Sequence, residues 1–196
     1  MDYLQLDDSK LIGVGLHRKC YEHPENSNLC IKVGFNSNPK EDKREINYYK
    51  FLNRRAISWA MLPKFHGKEK TNLGEGVVFD LIRDEDGSVS KTLEYYLEEG
   101  TQEVAQENII NALDDLKEYL LQELILTMTL KPKNIIYQKY KNGSGKLIII
   151  DNIGTSDFIP ICKFSNTLAK QKILRKWKRF EQSLIRKYKL DKEFFN

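Results

Sequence analysis

The spacing of apolar residues changes period along the chain, and this alternation limits the fold more than any single motif. Up to Ile82 the apolar residues come in short runs broken by turn residues. These are Leu11-Ile-Gly-Val-Gly15, Cys20-Tyr21, Leu29-Cys-Ile-Lys-Val33 after the loop His23 to Asn28, and Val77-Val-Phe-Asp-Leu-Ile82 before the turn Arg83-Asp-Glu-Asp-Gly87. Such runs predict strands joined in hairpins. One interruption, Lys40 to Arg55 behind the helix-start signal Asn36-Ser-Asn-Pro39, puts Ile46, Tyr49 and Phe51 or Leu52 at near-helical spacing. Trp59 to His66 is short and carries Pro63. The predicted order is therefore strand, strand, helix, strand.

From Thr92 to about Leu126 the period becomes helical, with Ile109, Ala112, Leu113, Leu116, Leu120, Leu121 and Leu124 on one stripe of a long amphipathic helix. Asn134-Ile-Ile-Tyr137 and Lys146-Leu-Ile-Ile-Ile-Asp151 then predict a second hairpin across the turn-rich Lys141 to Gly145. A last helical segment, Phe164 to Leu190, sets Leu168, Ile173 or Leu174, Trp177, Phe180 and Leu184 among basic residues. The fold class that follows is α+β: a small N-terminal sheet with one helix, residues 1–86, then a mainly helical lobe carrying a hairpin, residues 87–196.

A chain of 196 residues, 40% hydrophobic, is long enough to bury a core without metal or disulfide staples. No apolar run approaches the 18 or so residues of a membrane span. The N-terminal Met1-Asp-Tyr-Leu-Gln-Leu-Asp-Asp has neither the basic nor the apolar region of a secretory signal, so the expected location is the cytoplasm. Cys20, Cys30 and Cys162 have no C-x-x-C spacing and no clustered histidine, which argues against a disulfide framework or a structural zinc site. The net charge of +4 is uneven: residues 1–162 carry −4 and residues 163–196 carry +8. The terminal basic block reads as a core-facing apolar stripe flanked by solvated lysines, with docking on an anionic surface or an acidic partner as the second account; nucleic acid is the less favoured partner.

Four local features stand in an order with chemical meaning. Gly13-Val-Gly15 lies at a strand-to-strand turn, where missing side chains let backbone N–H groups approach a phosphate. Lys32 sits inside the apolar run Ile31-Lys-Val33, where its ammonium either reaches water or holds a charged partner. Glu45 follows on the helix, on a charged face with Glu41 and Arg44, and is expected to reach back to Lys32 as an ion pair. Asn134 and Asp151 flank the second hairpin, so their oxygens are expected to converge at its base as a hard cation on phosphates requires. Each also has an ordinary account: a turn, an edge-strand lysine, a solvated glutamate, a turn asparagine and a strand-ending aspartate.

In order, Gly13-x-Gly15, Cys30-Ile-Lys32-Val, Glu45, Leu130-Lys-Pro-x-Asn134-Ile-Ile and Asp151-x-x-Gly154 resemble the glycine loop, lysine strand, helix glutamate, catalytic loop and metal-binding turn of the protein-kinase-like superfamily. More narrowly, Gly15-Leu-His-Arg-Lys-Cys-Tyr21-x-His-Pro24, Thr127-Met-Thr-Leu-Lys-Pro-Lys-Asn134-Ile and Asp151-Asn-Ile-Gly154-x-Ser resemble the bacterial YrbL family of PhoP regulatory network proteins. Trp177-Lys-Arg-Phe180 fits too, and the likeness runs from about Leu11 to Phe180.

The resemblance implies a bilobal protein-kinase-like fold. It implies that Gly13 and Gly15 cover the phosphates of ATP, that Lys32, steadied by Glu45, binds them, and that Asn134 and Asp151 hold Mg²⁺. Three departures accompany it: Arg18 stands at the third glycine, Thr127-Met-Thr129 replaces H-R-D, and Asp151-Asn-Ile-Gly154 replaces D-F-G. Thr129 occupies the place of the aspartate that accepts the substrate hydroxyl proton, a task a threonine hydroxyl cannot perform near neutral pH. Two function classes follow. One is an ATP- and Mg²⁺-dependent phosphotransferase of non-standard mechanism acting on a protein, glycan or small-molecule hydroxyl. The other is a catalytically inactive, nucleotide-binding pseudokinase serving as a regulatory module.

Overall fold

The first part of the chain forms a five-stranded antiparallel sheet whose buried residues include Ile31 and Val33 of one strand and Val77, Val78 and Phe79 of its neighbour. A computed structural model describes residues 3–35, 39–98, 104–154 and 165–190, with the backbone alone at 39–42. The strands are β1 (Leu11–Val14), β2 (Arg18–His23), β3 (Asn26–Gly34), β4 (Phe65–Thr71) and β5 (Gly74–Asp80), in the spatial order β1-β2-β3-β5-β4. The helix α1 (Pro39–Arg54) runs between β3 and β4 in sequence.

Strand alternation sorts β3 into two faces. Ile31 and Val33 pack with Leu6, Tyr21 and Val78 in one buried cluster, joined by the partly buried Leu4, Leu11 and Leu29. Cys30 and Lys32 point to the other face, with their register partners Phe79 and Val77. There Tyr49 of α1 meets Phe79 at 5.0 Å between ring centroids and stacks on Trp59 at 6.1 Å. Helix α1 therefore covers the Lys32 face. Its buried stripe is Glu45, Ile46, Tyr48, Tyr49 and Leu52, so Glu45 belongs to the buried side of the helix rather than to the charged face expected for it.

Two further expectations change. Lys32 is on β3, the middle strand of five, and not on an edge. Strand β4, Phe65-His-Gly-Lys-Glu-Lys-Thr71, escapes the apolar-run criterion because its alternate residues are polar and face water; it is held by pairing with β5 over Phe65 to Thr71.

The chain divides into two compact units, residues 1–59 with 63–83 and residues 60–62 with 84–196. In the second unit the single helix expected from Thr92 is two. In α2 (Leu93–Leu97) the Thr92 hydroxyl accepts from Tyr95 N at 3.3 Å, and the helix ends as Glu98 turns extended. In α3 (Gln106–Gln122) Ile109, Ala112, Leu113, Leu116 and Leu120 are buried, as the stripe predicted; the helix stops before Leu124, whose φ of 49° is left-handed. The second hairpin forms as expected from β6 (Ile135–Lys139) and β7 (Gly145–Ile149), with Ile135 opposite Ile149.

Helix α4 (Asn166–Tyr188) starts at Ser165, whose hydroxyl accepts from Leu168 N. Phe164 lies outside the described residues, as does Cys162. The structure chooses Ala169, Ile173, Trp177, Phe180 and Leu184 as the buried stripe of α4 and leaves Leu168 and Leu174 exposed. Among the described residues no helix is long and apolar enough to cross a membrane.

Candidate functional site

In the first unit the expected site residues fall on one row of the sheet. Gly13 of β1 is opposite Cys20 of β2, Cys20 is opposite Lys32 of β3, and Lys32 is opposite Val77 of β5. Adjacent strands are about 4.8 Å apart, so Gly13 and Lys32 stand about 10 Å from each other across Cys20. The tip beyond Gly13 is closed by Gly15 N donating to Arg18 O at 2.8 Å. A Cβ added at Gly13 meets nothing within 4 Å, so close packing does not explain glycine there. Lys32 lies with its Nζ 4.9 Å from the centroid of the Phe79 ring, a cation over an aromatic face.

Glu45 takes a different partner from the one expected. Its Oε2 accepts from Arg18 Nη1 at 2.6 Å, with the two side chains 7% and 18% exposed. Its Oε1 is buried and has no hydrogen-bond partner. Arg18, noted in the sequence only as the residue at the third glycine position, is thus a member of this face. The available signal was strand alternation, since Arg18 and Cys20 are two apart on β2. Nothing local pointed from Arg18 to a glutamate 27 positions away.

Cys20 belongs to the same sheet face as Lys32. It is half-buried, paired with Lys32 and diagonal to Cys30, which is opposite Glu22. A hydrogen bond from the Cys30 thiol, helped by the Lys32 and Arg18 cations, holds the Cys20 thiol below its ordinary value. The same hydrogen bond, together with burial, pushes the Cys30 thiol up.

In the second unit, Asn134 closes a single 3-10 turn, Pro132–Asn134, and leads directly into β6. Asp151 lies just past β7. The ladder extends beyond the named strands, because Ile150 N donates to Asn134 O at 3.0 Å, so the backbones beside the two oxygen-bearing side chains are joined at one end of the hairpin. Asp151 Oδ1 accepts from Asn152 N at 2.7 Å, which fixes the carboxylate at the start of a turn. In that turn Asn152 and Gly154 have φ of 61° and 104°, the left-handed region tolerated by asparagine and glycine. The turn is tied to the preceding loop: Met128 N donates to Asn152 O and Gly154 N to Leu126 O, both at 2.7 Å, and Thr127 bridges the buried Ile153. Thr129 is exposed. Among the described residues no cluster of three or more His, Cys, Asp or Glu forms a metal cage. Asn134 and Asp151 offer hard oxygens, the donor type that Mg²⁺ accepts when phosphates and water complete its shell.

The C-terminal end of α4 is tied to α2. Glu94 Oε1 accepts from Lys187 Nζ at 2.9 Å and from Tyr188 Oη at 3.0 Å. Those hydrogen bonds, the lysine one foremost, hold the Glu94 carboxyl below its ordinary value.

The comparisons with known proteins agree with the local strings that form these turns and strands. The family model described as PhoP regulatory network protein YrbL matches residues 4–185. A protein of Escherichia coli (strain K12) named "Uncharacterized protein YrbL" is 38% identical over 180 residues, covering 90% of this chain and 86% of its own length. The protein of the same name from Shigella flexneri matches to the same extent. With the match spanning both the Gly13 to Lys32 row and the Asn134 to Gly154 hairpin end, the chain belongs to the YrbL family of PhoP regulatory network proteins.

Proposed function

We propose that the protein has a protein-kinase-like frame, binds ATP with Mg²⁺, and is a phosphotransferase of non-standard mechanism acting in bacterial regulation. The observation that carries this reading is the row Gly13, Cys20, Lys32, in which a side-chain-free backbone and an ammonium share one sheet face. Open space around Gly13 leaves its backbone approachable by phosphate oxygens. In this reading Lys32 offsets phosphate charge, and Asn134 and Asp151 are the oxygens that would hold Mg²⁺. The metal, when bound, supplies charge neutralisation on the transferring phosphoryl group.

The residue in the base's position limits the chemistry. Thr129 can orient an acceptor hydroxyl but cannot remove its proton, and no residue from Leu126 to Asn134 is acidic. General-base help is worth about 10²- to 10⁴-fold, so transfer without it is slow. The same observation favours a second reading, a nucleotide-binding pseudokinase whose occupied state is recognised by a partner.

The test uses the purified full chain with ATP and Mg²⁺. A ligand that binds only the folded state adds about 2.7 kcal/mol at a concentration of 100 Kd, so a rise in thermal midpoint is expected, reduced in Lys32→Ala and Asp151→Ala. Nucleotide consumption identifies the phosphotransferase, and stabilisation without consumption identifies the binding module. If both variants fold and bind nucleotide like the parent, the site assignment is wrong.

A further inference from the structure

Arg18 and Glu45 form a nearly buried ion pair on the same sheet face as Lys32, and the geometry of that pair goes beyond the roles assigned above. Withdrawing two charges from water is costly, and such a pair is weak evidence for stability in itself. This one is also incompletely satisfied, since Glu45 Oε1 is buried without a partner. A buried carboxylate left in that state asks for a reason other than packing.

Three features supply one. Arg18 opens β2 at the hairpin tip, its carbonyl bonded to Gly15 N, so it stands opposite a glycine just past the end of β1. Its side chain is on the Cys20 and Lys32 face by strand alternation. A guanidinium carries five N–H donors in a rigid fork, and the Glu45 contact at Nη1 fixes how that fork is oriented. Planar forks of this kind suit the oxygens of a phosphate better than a lysine point charge does.

We infer that Arg18 is a phosphate-binding residue for the terminal phosphates of the nucleotide, and that Glu45 is its positioning residue. The helix glutamate then steadies Arg18, while Lys32, lying over Phe79, is a second cation of the same site. This inference rests on the nucleotide reading above and adds to it a residue and a division of labour.

The test measures affinities for ATP, ADP, AMP and adenosine, with Mg²⁺, by calorimetry on the full chain. Arg18→Gln is expected to weaken ATP and ADP by about 10- to 100-fold, the range of a lost charged hydrogen bond, and to leave adenosine unchanged. Glu45→Gln is expected to weaken ATP less, and to add nothing when combined with Arg18→Gln, because its effect passes through the arginine. The double variant replaces the ion pair with two neutral amides and serves where Arg18→Gln alone, leaving a buried carboxylate, fails to fold. If Arg18→Gln or the double variant binds ATP like the parent while Lys32→Ala loses it, Arg18 is not a phosphate ligand, and the nucleotide reading survives. If Glu45→Gln tightens binding, the pair is a latch that competes with phosphate, and the positioning role fails. A parent chain that binds none of the four ends both.

Discussion

Arg18 Nη1 lies 2.6 Å from Glu45 Oε2, joining the first residue of β2 to the buried stripe of α1 across 27 positions of sequence. This contact ties the helix to the sheet on the face that also carries Lys32. Breaking it by Glu45→Gln replaces the carboxylate beside Nη1 with a neutral amide in a poorly solvated place. The expected cost is about 1–3 kcal/mol, below the 3–5 kcal/mol of a fully buried pair because Arg18 keeps some access to water. Urea unfolding of the variant checks it; an unchanged midpoint would show that the pair contributes nothing net to folding.

The basic helix α4 is anchored by its core stripe. Trp177 is 2% exposed, stacks edge-on with Phe180 at 5.5 Å, and donates from its indole nitrogen to Glu181 at 2.6 Å. Trp177→Ala should cost about 3–5 kcal/mol. Leu174→Ala, at a position 46% exposed, should stay within about 0.5 kcal/mol. Equal losses in thermal or urea unfolding would mean that the helix faces differ from those described.

Cys20 should react before Cys30. Its thiol is lowered by the Cys30 hydrogen bond and nearby cations and is half-exposed, whereas Cys30 is buried with its thiol raised. Limited alkylation with iodoacetamide at neutral pH, followed by peptide mapping, should show Cys20 modified first. Because Cys20 is paired with Lys32 in the sheet, ATP with Mg²⁺ should slow its modification. Faster labelling of Cys30 would contradict the assigned environments.

The Glu94 contact predicts an acid-sensitive end of α4. A carboxyl whose folded value lies below the ordinary 4.5 contributes stability above that value and loses it as pH falls through the lowered one. Hydrogen exchange of residues 184–188 should therefore quicken on going from about pH 6 to about pH 3 by more in the parent than in Glu94→Gln, after correction for intrinsic exchange rates. Equal acceleration in both would assign the acid sensitivity elsewhere. Solvent screening keeps the effect small, since Lys187 is well exposed.

Thr129→Ala and Asn134→Ala should differ in kind. Thr129 is exposed and can only orient a group, so its loss is expected to change nucleotide turnover, or affinity where turnover is absent, by less than about tenfold. Asn134 leads into β6 beside the Asp151 turn, and its loss should be harsher, removing an oxygen proposed for the metal. A dead Thr129→Ala beside a normal Asn134→Ala would reverse this division of roles.

The sequence by itself determined what neighbouring residues decide. The β6–β7 hairpin was legible because two β-branched runs flank a five-residue turn-rich loop, and its ends then had to bring Asn134 and Asp151 to one place. The α3 stripe was legible because residues three and four apart share a helix face. The tertiary structure decided what distant segments compete for. Lys32 became central only because β5, more than forty residues later, pairs with β3. Strand β4 exists through that same sheet, although its own residues are mostly polar. Between Leu174 and Ile173 the helical period allowed either to face inward, and packing of the lobe selected Ile173. Glu45 read locally as one of several surface charges, although it stands three, four and seven residues before Tyr48, Tyr49 and Leu52. Periodicity can mark a stripe, but a charge enters it only when an opposite charge arrives from elsewhere in the chain, and for Glu45 that charge is Arg18.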